Sequence, residues 1–132
     1  MSGRFITSDD IVRDRFDWGE IGWVSRPQLT GSQGLCVMDV TLQPGQGHNF
    51  HKHPDQEEII WVREGRVEQW LEQESRELGQ GEAVYIPKDV VHASYTVGDR
   101  PAKLSVMLSP TAGEGGYEVI DVFAEEPWAS LR

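Results

Sequence analysis

The sequence is poor in cysteine, in basic residues and in long apolar runs, and each shortage excludes a class of protein. Cys36 is the only cysteine among 132 residues, so no disulfide can form within the chain and a disulfide-stapled module is excluded. Lys and Arg number 12 against 22 Asp and Glu, and the resulting net charge of -10 repels nucleic-acid phosphates and anionic lipid. Nucleic acid and membranes are therefore not expected as partners.

The sequence also shows no targeting or membrane-spanning signal. Residues 1–18 carry acidic side chains throughout and contain no apolar stretch of signal-peptide length. No segment approaches the roughly 20 apolar residues that span a bilayer. With 38% hydrophobic and 26% charged residues, the composition is that of an ordinary folded protein, and a cytoplasmic location is expected.

From residue 34 onward, short apolar or alternating runs are separated by Gly, Pro and Asp, a pattern typical of β-strands joined by tight turns. No helical segment of 10–15 residues intervenes, so an all-β sandwich or closed barrel is predicted. We predict one domain with an irregular lead-in over 1–33, a β-barrel over 34–123 and a tail over 124–132. Within the lead-in, a short helix near Asp9–Phe16 and an edge strand at Ile21–Ser25 are expected. The predicted barrel strands are Leu35–Leu42, His48–His53, Glu58–Arg63, Arg66–Leu71, Ala83–Ile86, Val91–Val97, Lys103–Leu108 and Tyr117–Phe123.

Three of the four histidines fall within six residues, and this clustering is the strongest functional signal in the chain. His51 and His53 are two apart on a predicted strand, so their side chains point to the same face. Glu58 begins the next strand after a turn, and His92 begins another. Three neutral imidazoles and one carboxylate suit one divalent ion such as iron, manganese, nickel, cobalt or zinc. We predict a metal site formed by His51, His53, Glu58 and His92.

The residues around the histidine pair resemble the first motif of the cupin superfamily. That motif reads Gly, five residues, HxH, three or four residues, Glu, six residues and Gly, and its counterparts here are Gly45, His51, His53, Glu58 and Gly65. The six residues between the glutamate and the glycine favour Glu58 as the ligand. The neighbouring Glu57 stays an alternative, because both faces of this strand are apolar.

The second cupin motif is matched with two departures. It reads Gly, five residues, Pro-x-Gly, two residues, His, three residues and Asn, and Gly81, Pro87 and His92 match it. Asp89 stands where the motif has Gly, a mild change because Asp tolerates left-handed turns. Thr96 stands where the motif has Asn. Neither position is a metal ligand in the family.

The resemblance implies a fold, a metal position and a range of activities. The fold is a double-stranded β-helix, or jelly-roll, barrel with the ion near its mouth. The ligand set is similar to that of cupin dioxygenases of the quercetin type, which implies a metal-dependent enzyme acting on a small chelating substrate. The alternatives are a metal-assisted isomerase, lyase or decarboxylase, a non-catalytic small-ligand-binding or sensing barrel with a structural metal, and a metal-free sugar-binding or sugar-epimerising barrel. Fold alone does not choose among them.

A few further residues are candidates for roles beside the ion. Glu58 is also a candidate general base if it leaves the metal, a role that needs a raised pKa. His48 is expected on a loop at the barrel mouth, either solvated or shuttling protons. Tyr95 is either a packing residue or a phenol offered to substrate. Ser94 and Thr96 share the strand face of His92 and are candidates for lining the cavity.

The chain is expected to form a homodimer. Both faces of the strand at 58–62 are apolar, so a second sheet or a partner subunit must cover its outer face. Homodimers are also common among the proteins that this sequence resembles. We therefore predict a dimer with Trp61 or Trp70 at or near the interface.

Overall fold

The computed structural model describes residues 3–132, which form eleven strands and three short helical segments. The helical segments are Ser8–Asp10, Pro27–Thr30 and Trp128–Ser130. The strands are β1 Val12–Phe16, β2 Gly19–Ser25, β3 Cys36–Leu42, β4 Gly47–Lys52, β5 Glu57–Glu64, β6 Val67–Leu71, β7 Glu74–Leu78, β8 Ala83–Ile86, β9 His92–Thr96, β10 Ala102–Ser109 and β11 Ile120–Asp121.

The strands form two antiparallel sheets. Sheet A has the order β1-β2-β3-β10-β5-β8, and sheet B has the order β11-β4-β9-β6-β7. Consecutive strands such as β4 and β5 often lie in different sheets, as in a jelly roll. The predicted all-β jelly-roll barrel is confirmed.

The alternation of side chains explains where the main core lies. Along β5, Glu58, Ile60 and Val62 are buried while Glu57 and Trp61 are exposed. The inward residues of sheet A pack with those of sheet B in a core that includes Trp23, Met38 and Leu104 among its members. Strand parity therefore settles the choice between the two glutamates, because Glu58 points into the barrel.

The lead-in is more regular than the sequence analysis expected. The predicted helix near Asp9–Phe16 is wrong, since only Ser8–Asp10 is helical and β1 follows directly. The predicted strand at Ile21–Ser25 exists within β2, but β2 lies between β1 and β3 and is not an edge. The sequence analysis missed β1 because its charged residues show no apolar alternation. A solvated outermost strand needs no apolar face.

Two further differences concern weakly patterned segments. β7 was not predicted, because all of its residues except the buried Leu78 are polar and exposed; it pairs with β6 through a tight turn in which Glu72 has a φ of 55°. The predicted strand Tyr117–Phe123 is reduced to the two residues of β11. Across residues 3–132, no helix combines the length and apolarity that a bilayer crossing requires.

The outer faces of the two sheets are covered differently. Outside sheet B, Phe50 and Tyr95 belong to a second cluster on which Trp128 and Leu131 of the C-terminal tail pack. Trp70 packs against this cluster and donates its indole N–H to Glu68. Outside sheet A, Ile59, Trp61 and Tyr85 remain exposed.

Candidate metal centre

Three histidines from the predicted ligand set converge inside the barrel. One ring nitrogen from each of His51, His53 and His92 lies within 4.8 Å of the other two, and all three residues are buried. His51 lies directly opposite His92 where β4 pairs with β9, and His53 follows the end of β4. These three imidazoles can bind one metal ion.

The turns that bring the ligands together follow from local sequence. His53 is followed by Pro54 and Asp55, which turn the chain toward β5 and Glu58. Ahead of His92, Asp89 has a φ of 64°, so it takes the left-handed conformation that a glycine would provide. Its carboxylate also pairs with Lys52 at 3.1 Å, which ties this turn to the end of β4.

Each of the three imidazoles is oriented by a backbone carbonyl. The Nδ1 atoms of His51, His53 and His92 lie 2.6, 2.8 and 3.0 Å from the carbonyl oxygens of Asn49, Glu118 and Val90. Because a carbonyl only accepts, each Nδ1 must carry the hydrogen, and each Nε2 is left with a lone pair. This is the arrangement in which neutral histidines bind metals.

Glu58 joins this cluster from the opposite sheet. Its Oε1 lies 2.9 Å from Nε2 of His92 and 3.4 Å from Nε2 of His53, and the residue is only 4% exposed. Although Oε1 and the His92 Nε2 are close, they are not aligned as a hydrogen bond, and neither atom has another hydrogen-bond partner among the described residues. Buried polar atoms without partners are costly, so this group fits an ion that would satisfy both.

The ionisation of the cluster follows from burial and close opposite charge. Burial lowers the pKa of His51 well below its ordinary value, and it lowers the pKa of His53 in the same direction. Burial opposes charge on Glu58 and His92 too, but their proximity prevails, lowering the pKa of Glu58 and raising that of His92. Glu58 thus remains a carboxylate, whereas the general-base hypothesis requires a raised pKa.

His48 lies in β4, not on the predicted loop, and a β-bulge turns it inward. His48 pairs with Ser94 and His51 pairs with His92, so two residues of β4 stand opposite one residue of β9. The His48 ring stacks on His51 with centroids 3.7 Å apart, and Trp18 stacks on its other face at 5.1 Å. Burial lowers the pKa of His48 to about 4.

Tyr95 does not belong to the site. It lies three residues beyond His92, and its side chain packs outside sheet B with Phe50. Its hydroxyl donates to Oδ1 of Asn49, and the Arg132 guanidinium lies 3.6 Å from its ring centroid. Of the two roles considered for Tyr95, the packing role agrees with this position, because strand alternation places the residue on the opposite face from the ligands.

Of the two other candidates on β9, only Ser94 lines the cavity. Its hydroxyl already donates to Oε1 of Gln69 at 2.6 Å. Thr96 instead donates to the carbonyl of Gln43 at 2.8 Å and accepts from the N–H of Gln46 at 3.1 Å. The threonine that replaces the motif asparagine therefore fixes the turn before β4.

A cavity of about 40 Å³ lies beside the ligands. Its partly exposed lining residues are Trp18, His48 and Tyr117, which we call the mouth. Burial raises the pKa of Tyr117 to about 12, so its phenol stays protonated at neutral pH. Neither Trp18 nor Tyr117 could be recognised from the sequence, because turns and long-range packing bring both to the cavity.

Gln56 is a further residue that the sequence analysis missed. It is 1% exposed, and its Nε2 donates to the carbonyls of Pro110 and Gly116 at 2.8 and 3.0 Å. Its Oε1 accepts from the N–H of Glu118 at 3.2 Å, and the Glu118 carbonyl accepts from His53. Gln56 thus fixes the segment that orients one ligand. Its parity with Glu58, two residues later, was the available signal.

Comparison with known proteins agrees with this geometry. The sequence profile of the cupin domain matches residues 38–109, which is more than half of the chain. The chain belongs to the cupin family. Polyketide synthase CurC from Streptomyces cyaneus is 30% identical to this cupin over 124 residues, which cover 94% of the chain and 80% of the relative.

Solved structures have a fold similar to that of this chain. The oxalate decarboxylase of Lactobacillus farciminis superposes with a TM-score of 0.74 at 19% identity, covering 94% of this cupin and 36% of that chain. The DMSP lyase DddQ from Ruegeria pomeroyi superposes with a TM-score of 0.60 at 30% identity, covering 71% of this cupin and 46% of that chain. The relatives of this cupin therefore include enzymes.

Proposed function

We propose that this cupin is a divalent-metal enzyme that acts on a small substrate bound to the ion through oxygen atoms, with dioxygenase chemistry as the first candidate. The observation that carries the proposal is the common orientation of His51, His53 and His92, whose Nδ1 atoms are all held by backbone carbonyls. Their Nε2 atoms are thereby left free for an ion. Iron, manganese, nickel, cobalt and zinc all suit such a ligand set.

The protein residues divide between holding the ion and admitting the substrate. His51, His53 and His92 would bind the metal, and Glu58 would complete the set because its Oε1 lies against two of their nitrogens. When bound, the ion supplies Lewis-acid chemistry and, if it is redox-active, activation of dioxygen. The aliphatic lining keeps bulk water from the bound substrate, and the mouth residues contact it as it enters.

A metal-assisted lyase is the second candidate, and the relatives favour it specifically. The sequence shares 30% identity with DddQ, a DMSP lyase, over 71% of this chain. The relative CurC, named a polyketide synthase, indicates oxygen-rich carbonyl compounds as a further substrate class. A lyase would use the same ligands and would need no dioxygen.

The test starts with elemental analysis of untagged protein, followed by reconstitution with iron(II), manganese(II) and nickel(II). Each form is incubated with flavonols, diketones and keto acids while oxygen uptake, product formation and the metal spectrum are recorded. Oxygen-dependent turnover supports a dioxygenase, and turnover that persists without oxygen supports the lyase. A spectral change without turnover would make the protein a binding module. Absence of both in every metal form would reject the proposal, and His92→Ala, which lacks one ligand, serves as the control with weakened metal binding.

A further inference from the structure

We infer that the substrate presents a compact chelating head to the ion and carries no charge beyond that head. The inference deepens the proposed function and rests on it, since it assumes that a metal binds at the three histidines. It is carried by the size of the cavity, by the residues that line it and by the residues at its mouth.

The size of the cavity limits what can reach the ion. A volume of about 40 Å³ accommodates roughly three water molecules, at about 10–15 Å³ each. A pair of oxygen atoms with the carbon atoms that join them fits such a space when it displaces those waters. A larger substrate must therefore keep its remaining atoms at the mouth or against the adjoining side chains.

The lining offers no opposite charge to a charged substrate group that lies away from the ion. Seven aliphatic or thioether side chains from sheet A form one side of the cavity, and no Lys or Arg from the described part of the chain lines it. Glu58 is the only lining carboxylate, and its charge would repel a further anion. A carboxylate or phosphate remote from the ion would be desolvated without a countercharge. The apolar residues are Ile21, Met38, Val40, Leu42, Ile60, Leu104 and Val106.

The mouth offers hydrogen bonds suited to a neutral group. Both faces of the His48 ring are covered, by Trp18 and by His51, and the Trp18 ring is covered on its other face by Phe16 at 4.9 Å. These rings thus present edges, not stacking faces, to an incoming molecule. The Tyr117 hydroxyl has no hydrogen-bond partner within residues 3–132, so it can donate to a carbonyl, hydroxyl or ether oxygen of the substrate.

The test compares two ligands that share a 1,3-diketone head and a chain length but differ in a remote charge. Heptane-2,4-dione, like acetylacetone, chelates as a monoanion after releasing its enol proton to solvent, whereas 4,6-dioxoheptanoate has the same head but ends in a carboxylate in place of the terminal methyl group. The protein is loaded with cobalt(II), and each ligand is titrated while the visible cobalt bands are followed. We expect heptane-2,4-dione to bind at least about tenfold more tightly than 4,6-dioxoheptanoate. Gel filtration after each titration checks that cobalt remains with the protein.

A matched pair of tyrosine variants tests the mouth. Tyr117→Phe removes the unpaired phenol, and we expect it to weaken acetylacetone binding about two- to tenfold while cobalt affinity stays unchanged. Tyr85→Phe is the control, because Tyr85 is exposed outside sheet A, where its hydroxyl contacts Glu57. If the two variants weaken acetylacetone binding equally, the Tyr117 hydroxyl does not contact the ligand.

The outcomes separate this inference from the proposed function. If the protein binds cobalt but prefers 4,6-dioxoheptanoate, or binds the two ligands equally, the inference is overturned and the proposed metal enzyme is unaffected. If the protein prefers heptane-2,4-dione but turns over no substrate, the result supports the inference and counts against catalysis. Protein that retains no cobalt at all overturns both.

Discussion

The two sheets of the barrel present opposite chemistry to the same cavity. Sheet A contributes seven apolar side chains and a single charged one, Glu58. Sheet B contributes His48, His51 and Ser94 to the lining. The other two histidine ligands also come from this side, since His92 is the first residue of β9 and His53 follows β4. Ligands gathered on one sheet are held by that sheet's own backbone, while the facing apolar sheet lowers the local dielectric constant. Metal binding and water exclusion therefore depend on different strands.

The outer faces of the two sheets reverse this contrast. The outside of sheet B is covered by the chain's own tail, with Trp128 and Leu131 packed on the cluster around Phe50. The outside of sheet A, the apolar sheet, leaves Trp61 47% exposed, together with Ile59 and Tyr85. Of the two tryptophans predicted to lie near a dimer interface, Trp70 is packed against that covered cluster. Trp61 alone remains available to a partner.

The largest expected effect comes from removing a ligand of sheet B. His92→Ala deletes the imidazole that contacts Glu58 and faces His51, so we expect metal affinity to fall by at least about 100-fold. Elemental analysis and competition with a chelator measure the loss. The control is His48→Ala, which removes a histidine that lies outside the convergent three. If both variants keep a full equivalent of metal, the ion does not bind at these histidines.

The next effect tests the uncovered face of sheet A. We predict a homodimer formed through this face, and Trp61→Glu should then dissociate it by placing a carboxylate in an apolar contact. Light scattering at tens of micromolar should show a dimer for the unaltered protein and a monomer for the variant. Val12→Glu is the control, since Val12 is exposed on β1 at the far edge of the same sheet. An unaltered protein that is monomeric under these conditions would refute the prediction.

A smaller effect distinguishes the two faces of one strand. Glu58→Gln replaces the buried carboxylate with a neutral amide, and we expect metal affinity to fall about 10- to 100-fold. Glu57→Gln is a control one residue away, because Glu57 is exposed and its carboxylate accepts a hydrogen bond from the Tyr85 hydroxyl, at 3.4 Å, outside the barrel. Isothermal titration with cobalt(II) measures both variants. Equal losses for both would mean that surface charge, not ligation, determines affinity.

Much of the metal centre could be predicted from the sequence, because strand alternation and turns over a few residues position its ligands. The two-residue period of a strand is enough to place His51 and His53 on one face, and the Pro54-Asp55 turn returns the chain so that Glu58 meets them. For Tyr95 the packing alternative could have been preferred from the same period, which, counted from His92, puts the residue on the opposite face.

The rest of the centre depends on long-range geometry that no pattern encodes. The bulge in β4 inserts one residue, which turns His48 inward against the alternation that the sequence predicts. Trp18 reaches the cavity from the turn before β2, and Tyr117 reaches it from the loop before β11. β7 lacked any apolar alternation, so only its pairing with β6 reveals it as a strand.

The smallest effect concerns a residue that acts on the centre from a distance. Gln56→Leu keeps a side chain of similar volume but removes three hydrogen bonds to the segment that ends at Glu118. The Glu118 carbonyl then no longer fixes the His53 ring, and we expect metal affinity to fall about tenfold. The visible spectrum of the cobalt(II) form should also change, because one of its ligands can rotate. A variant that merely packed less well would not alter that spectrum.

The matched control for this last variant is Gln69→Leu. Gln69 is also a buried glutamine, but its hydrogen bonds run to Ser94 and to the carbonyl of Trp70, not to the support of a ligand. Both variants should lower the free energy of unfolding to a similar extent, since each leaves buried polar groups without partners. Only Gln56→Leu should lower metal affinity and alter the cobalt spectrum. Equal metal affinities for the two variants would reduce Gln56 to a packing residue, and the backbone carbonyls alone would then account for the orientation of His53.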